Sequence, residues 1–274
     1  MKRRRAATTL LFAGLIAVAA ATLTPLVWMV SASLMPTGEA SSIPPRLVPS
    51  TVTFAHYRDL FTRLDVGRNA LNSLVLATAV TIASVLLNSL AGYAFAKLRF
   101  TGRAQLFRTL MAALVIPTQV AMLPLFLLLR AVGLVNTYWG VILPSIASIF
   151  GIFLVRQYAQ SIPDELIEAA RIDSAGELTI FRRLILPLCR PILVTLVVFT
   201  FLAIWNDFLW PLIVLTDQSM YTFLVALANL EGEYHQDIEL MMSGAVLTMT
   251  PVLLLFLALQ RYYLEGIMLG STKG

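Results

Sequence analysis

Eight charged side chains crowd one short stretch of an otherwise apolar chain: Asp164, Glu165, Glu168, Arg171, Asp173, Glu177, Arg182 and Arg183 all fall within 161–187, SIPDELIEAARIDSAGELTIFRRLILP. They cannot lie in hydrocarbon, where each mid-bilayer charge costs at least about 2.5 kcal/mol. Their chemistry is that of ionic contact in water. A second constellation, Trp205-Asn206-Asp207, puts a ring, an amide and a carboxylate in succession inside an apolar run. A ring can stack on the apolar face of a sugar while amide and acid bond its hydroxyls. An acid at such depth marks either a substrate pathway or a structural pairing, and an interfacial aromatic belt with a solvated aspartate fits the same letters. Asn72, Asn88 and Gln119 are weaker pathway candidates and fit equally as hydrogen-bonding glue between helices.

Other chemistries are absent. His56 and His235 are the only histidines, both outside the apolar runs, and there is no Gly-x-Ser-x-Gly, no HExxH and no phosphate-cradling GxxxxGK[ST]. A lone Cys189 excludes internal disulfides and thiolate metal clusters. The chain is therefore expected to be no enzyme, to bind no cofactor or metal of its own and to have no motor. Its net charge of +5 comes without any nucleic-acid signature.

The elements that position these residues are apolar spans. Of 274 residues 58% are hydrophobic and 13% charged, against roughly 25% charged in an average soluble domain. At about 20 residues per crossing, six spans are expected near 10–34, 70–96, 109–129, 138–155, 188–215 and 240–259. The reading is an all-α membrane protein with a basic N-terminus (1–9), a six-span domain (10–262) and a short C-terminal tail (263–274). A cleaved signal peptide also fits the basic start and Ala19 to Ala21, but the apolar run overshoots a signal core of about 7 to 15 residues. Pro117 and Pro124 break the third span, which suits a pathway-lining element. Between the first two spans, FAHYRDLFTRL places Phe54, Tyr57, Leu60, Phe61 and Leu64 on one helical face, as for a helix lying along the outer membrane surface.

With the N-terminus inside, only Arg46, Arg58, Arg63, Arg68 and Arg130 of the 20 Lys and Arg face outward. Basic residues near spans resist translocation, so both termini and the 161–187 stretch are expected in the cytosol. There the stretch reads as two short helices with an elbow at Asp173 to Gly176. Ser161 with Asp164, and Ser174 with Glu177, resemble capping boxes, and Pro163 and two acids suit a first turn. Leu166, Ala169 and Ala170 would form a low apolar face, Gly176 would absorb any left-handed turn, and the second helix would stop near Pro187.

Glu168-Ala169-Ala170 followed by Leu184, Leu186 and Pro187 resembles the EAA loop of permease subunits in binding-protein-dependent ABC importers. The family's glycine six residues after the glutamate is Ser174 here. AGYAFAKLRFTGR (91–103), WNDFLWPL (205–212) and LQRYYLEGIMLGSTKG (259–274) extend the resemblance to the maltose-type carbohydrate branch. The resemblance implies a type I ABC importer permease fold. It also implies a second permease subunit as heterodimer partner, two ATPase subunits that use ATP and Mg, an extracytoplasmic sugar-binding protein and a place in the inner (plasma) membrane. Glu165, Glu168, Ala169, Ala170, Arg171, Asp173 and Gly176 would then couple to the ATPase, and the acidic stretch from Asp217 to Glu239 would dock the binding protein. The resemblance leaves open a permease for a non-sugar solute, and the residues alone leave open a secondary transporter driven through Asp207.

Overall fold

The apolar runs fold as helices, because in hydrocarbon only a helix or closed barrel pairs every backbone group internally. The computed structural model describes residues 2–44, 46–63, 65–233 and 237–271; Leu64, His235 and 272–274 lie outside the described residues. In chain order the helices are α1 (Lys2–Ala32), α2 (Ala55–Arg63), α3 (Val66–Lys97), α4 (Arg103–Ala113), α5 (Thr118–Ala131), α6 (Tyr138–Ser145), α7 (Ile149–Ala159) and α8 (Asp164–Ile172). Then come α9 (Glu177–Ile180), a π-helical turn (Phe181–Ile185), α10 (Leu186–Leu188), α11 (Arg190–Trp205), α12 (Leu209–Val214), α13 (Phe223–Glu233) and α14 (Ile238–Ser271).

Among the described residues, four stretches are long and apolar enough to cross a membrane, and six if two bent helix pairs each count as one. Two of the expected spans are sharply bent: α4 and α5 meet at 103°, and the helix ending at Leu188 meets α11 at 80°. Proline explains both. Pro117 stands at the start of α5 and Pro191 in the first turn of α11, where neither can donate to a continuing helix. The fifth run is broken again after Trp205, before α12 begins at Leu209.

The chain divides into two compact units. The first holds Met1–Gly67 and Ala226–Pro251. Here Ala32, Met35 and Ala40 are buried together, with Trp28, Ile238 and Met242 packed against them. Glu239 is fully buried, and its Oε1 accepts from Ala40 N at 2.7 Å, so it satisfies an amide of the loop before α2. The stretch 217–239 is therefore not one solvated acidic face. His56 is buried too, with Nε2 3.0 Å from Met35 O and Nδ1 3.7 Å from Asp237 Oδ1. The buried stripe of α2 is His56 and Leu60, while Phe54 and Phe61 are exposed.

The second unit holds Arg68–Val225 and Val252–Gly274. One of its cores joins Leu76, Leu129 and Val141 to Trp210, Val214 and Leu215. The other gathers Tyr93, Ala159, Ile162, Ile167, Ile180, Phe181, Ile185 and Cys189 under the charged elbow. Helix α3 approaches α7 so closely at Gly92 that a Cβ there would stand 2.7 Å from Val155 Cβ and 3.0 Å from the Arg156 amide. Small residues permit such a crossing.

Candidate functional site

The elbow is built by a helix ending and a clasp. Helix α8 stops at Ile172, and the chain reverses through Ser174 at φ 60° before α9 starts at Glu177. Ser174 N donates to Arg171 O and Ala175 N to Ala170 O, both at 3.0 Å, while Ala170 and Ala175 pack against one core. This is the Schellman ending, with its hydrophobic contact between the residues flanking the reversal. The break falls where it was expected, but the roles are exchanged. Ser174, not Gly176, takes the left-handed conformation, and Gly176 is extended at φ −69° with no side-chain cap on α9.

One further expectation is corrected. Ser161 does not cap α8; its hydroxyl donates to Tyr158 O, one turn back, and Pro163 precedes the helix. Leu166 and Ala169 lie on the exposed side of α8, Leu166 at 44% exposure, while Ile167 and Ala170 pack against the core that includes Ile162 and Ile180. The second helix runs from Glu177 through the π-helical turn to Leu188 and so stops near Pro187, as the sequence indicates.

The clasp comes from the last turns of α3. Tyr93 OH donates to Glu177 Oε2 at 2.6 Å, and Arg171 Nε donates to Glu177 Oε1 at 2.9 Å. One turn on, Lys97, whose side chain is 6% exposed, donates to Ile162 O at 2.6 Å and to Asp164 Oδ1. That bond and the ammonium charge hold the Asp164 carboxyl below the usual carboxylate range. Glu165, Glu168, Ala169, Arg171, Asp173 and Gly176 remain exposed at the elbow, and Ala170 is half-buried. Small side chains beside an available carboxylate suit close approach by a second protein.

The second constellation lines a cavity of about 740 Å³ in the same unit. Three interruptions of helices converge on it: Thr118, Gln119 and Met122 after the α4–α5 bend, Ser145 and Ser148 between α6 and α7, and Asn206 to Trp210 between α11 and α12. Irregular backbone at membrane depth is tolerated where it faces protein or a water-filled space. Phe150, Phe199 and Thr200 complete much of the wall, and among the described residues no lysine, arginine or histidine lines it. Asp207 Oδ1 accepts from Trp210 N, in the first turn of α12, at 3.4 Å, and Asn206 Nδ2 donates back to Leu202 O at 2.9 Å.

The candidate pathway residues thus divide. Gln119, Asn206 and Asp207 line the cavity. Trp205 is buried, stacked on Phe201 with centroids 5.9 Å apart and planes 8° from parallel, and it is Trp210 that reaches the wall, its indole N–H bonded to Gly140 O at 3.1 Å. Asn88 is fully buried and bridges Ser84 Oγ (2.7 Å) and Ser148 N (3.1 Å). Asn72 bonds the carbonyls of Ser219 and Tyr221 at 3.0 and 3.1 Å. Ser145, Ser148 and Thr200 were missed as wall residues, and Pro144, one residue before Ser145, was the available signal of a break. Tyr93 and Lys97 were missed as clasp residues although they sit four apart at the end of an apolar run.

Residues 88–267 match the family described as binding-protein-dependent transport system inner membrane component. Among curated proteins, the chain is 38% identical over 253 residues to the arabinooligosaccharides transport system permease protein AraQ of Halalkalibacterium halodurans, covering 91% of each chain. It is 34% identical to the lactose transport system permease protein LacG of Rhizobium radiobacter, covering 91% of this chain and 90% of that one. It is 35% identical to the trehalose transport system permease protein SugB of Mycobacterium tuberculosis, covering 92% and 93%. Among solved structures, a chain of a bacterial ABC transporter that imports the acidic polysaccharide alginate superposes with a TM-score of 0.83 at 23% identity, over 95% of this chain and 98% of that one.

Proposed function

Because the chain belongs to the family of binding-protein-dependent transport system inner membrane components, we propose that it forms one half of the pore of an ATP-driven importer whose solute is a sugar or oligosaccharide. A second permease subunit supplies the other half. Two ATPase subunits grip the elbow at Glu168, Ala169 and Ala170, and an extracytoplasmic binding protein delivers the sugar. ATP and Mg act in those ATPase subunits. Both termini and the elbow face the cytosol, a side supported by the excess of Lys and Arg in the inward loops.

The observation that carries the transport reading is the convergence of three interrupted helices on one cavity whose polar groups are amides, hydroxyls and the Asp207 carboxylate, set among aromatic rings. Such a wall suits a neutral, hydroxyl-rich solute, which needs apolar stacking surfaces and hydrogen-bonding groups together. The relatives named for arabinooligosaccharides, lactose and trehalose support the same class. ATP binding and the loaded binding protein move the pore only through their different affinities for its inward- and outward-open forms, so both are needed to drive a cycle.

The test is uptake by the whole complex in liposomes, with its second permease, ATPase and binding protein, across a panel of lactose, trehalose, arabinooligosaccharides and amino acids. ATP-dependent uptake of a saccharide is expected. Uptake that follows a proton gradient while ATP is withheld, or that is confined to amino acids, overturns the assignment.

A further inference from the structure

Helix α3 differs from the other membrane-length elements. Helix α1 contains Pro25, the 138–159 stretch contains Pro144 and a break, α14 contains Pro251, and the remaining two candidates are pairs bent by 103° and 80°. Helix α3 runs from Val66 to Lys97 with neither proline nor break. Sharp kinks in helices arise almost always from proline, Gly/Ser pairs, π-bulges or inserted groups, so α3 is the stiffest rod available to this unit.

It is also pinned at three heights. Tyr93 and Lys97 hold both limbs of the elbow, through Glu177 on one and through Ile162 and Asp164 on the other. Asn88, at mid-height, holds the amide of Ser148 in the cavity wall at 3.1 Å. At the far end Asn72 bonds Ser219 O and Tyr221 O, and Ser73 Oγ accepts from Phe223 N at 2.7 Å. From Asn72 to Lys97 the helical rise is about 37 Å. The elbow is continuous in sequence with α7 and α11, but α7 follows a broken helix and α11 follows a bend, so neither gives as direct a route to the loop at 216–223.

We propose that α3 is the transmission strut of this subunit: the Tyr93 and Lys97 clasp turns displacement of the elbow into displacement of the 216–223 loop, with Asn88 carrying the cavity wall along. Tyr93, Lys97, Asn88 and Asn72 are positioning residues in this account, since none of them needs to touch ATP or sugar to act. The proposal rests on the importer reading. It requires a coupling measurement between the two ends, because a chain of contacts by itself does not demonstrate coupling.

The experiment uses the full complex with its ATPase in nanodiscs, carrying a fluorophore on Gln218→Cys; position 218 is exposed and the native Cys189 is buried. Addition of Mg-ATP is expected to shift the label's emission in the otherwise unaltered complex. Tyr93→Phe keeps the ring contact with Phe181 (centroids 5.6 Å apart) and deletes only the hydroxyl. It is expected to reduce the ATP-driven shift at least about fivefold, the lower end of typical coupling between sites, while ATP hydrolysis persists. Asn72→Ala should do the same from the other end, and the double variant should be no worse than either single one, since both contacts lie on one route. Glu177→Gln, which keeps an oxygen to accept from Tyr93, should retain the shift. A full shift in Tyr93→Phe with hydrolysis intact, or losses that multiply in the double variant, overturns the strut. An unaltered complex that neither retains an ATPase nor hydrolyses ATP overturns the importer reading and the strut with it, whereas one that imports sugar with no shift at position 218 overturns the strut alone.

Discussion

The elbow and the cavity use polar side chains in opposite ways. At the elbow the ionised groups are tied to one another and to the backbone, Lys97 with Asp164 and Glu177 with both Tyr93 and Arg171, and the outward surface is left to Glu168 and Ala169. At the cavity the polar groups are sparse, set among aromatic rings, and bonded to their own helix or its next turn, as Asn206 is to Leu202 and Asp207 to Trp210. A surface that bears force on a partner has to hold its shape beforehand, whereas a pathway has to exchange hydrogen bonds with a passing solute. Changes at the elbow should therefore alter coupling, and changes at the cavity should alter affinity for the solute.

The largest effect is expected at Ala169. It is exposed, so Ala169→Trp should still fold and insert, yet an indole on the docking face should lower uptake at least about tenfold, the loss typical of disrupting a central interface contact. Uptake rates alongside co-purification of the ATPase measure this, and normal values for both would remove the elbow's special status. Next in size is Asp207→Asn, which keeps an oxygen for Trp210 N but deletes the charge. The apparent KM for the sugar should rise several-fold, by about 1 kcal/mol of lost hydrogen bonding, with ATP hydrolysis per transported sugar unchanged. If this variant transports normally while Asp207→Ala merely lowers thermal stability by about 1 kcal/mol, as loss of one hydrogen bond does, then Asp207 is structural and the contrast with the elbow weakens.

A smaller change should come from Ser174→Gly. A non-glycine residue in the left-handed region costs roughly 1–2 kcal/mol, so glycine should raise the unfolding free energy by about 1 kcal/mol while leaving transport unaltered; a loss of stability would mean that the serine side chain adds something to the turn. The smallest effect is acid dependence of the clasp. Asp164 is held below the ordinary carboxyl value of 3.8, so the stability it lends is fully present above that value and is lost as pH falls through the lowered one. Hydrogen exchange at α8 should be indifferent to this pair near neutrality and should loosen only in strong acid. Loosening near neutrality would point to some other titrating group.

Much of the elbow was legible because its signals are local. Charge density marked 161–187 as an interruption, and the capping-box pattern of Ser174 with Glu177 placed the break. The exchange of roles between Ser174 and Gly176 was not legible, since either residue satisfies the letter pattern and only the hydrogen bonds from the amides of residues 174 and 175 back to α8 distinguish them. Which side of α8 is buried was not legible for a related reason: in so short a helix the core beneath chose Ile167, and Leu166 stays exposed beside Ala169. The cavity was half visible. Pro117 and WNDFLWP announced two of its three breaks, but Trp205, which the motif puts forward, is buried against Phe201, and Trp210 reaches the wall instead.

By itself the sequence determined that the chain is helical, membrane-embedded and interrupted by a dense charged stretch at 161–187, because hydropathy, charge and turn chemistry are properties of neighbouring residues. Tertiary structure alone decided which distant groups meet. Tyr93 and Glu177 are 84 positions apart, and Asn88 and Ser148 are 60. No local pattern encodes such a contact; it exists because α3 crosses α7 at a distance only Gly92 permits, which brings the end of a long straight helix under the elbow.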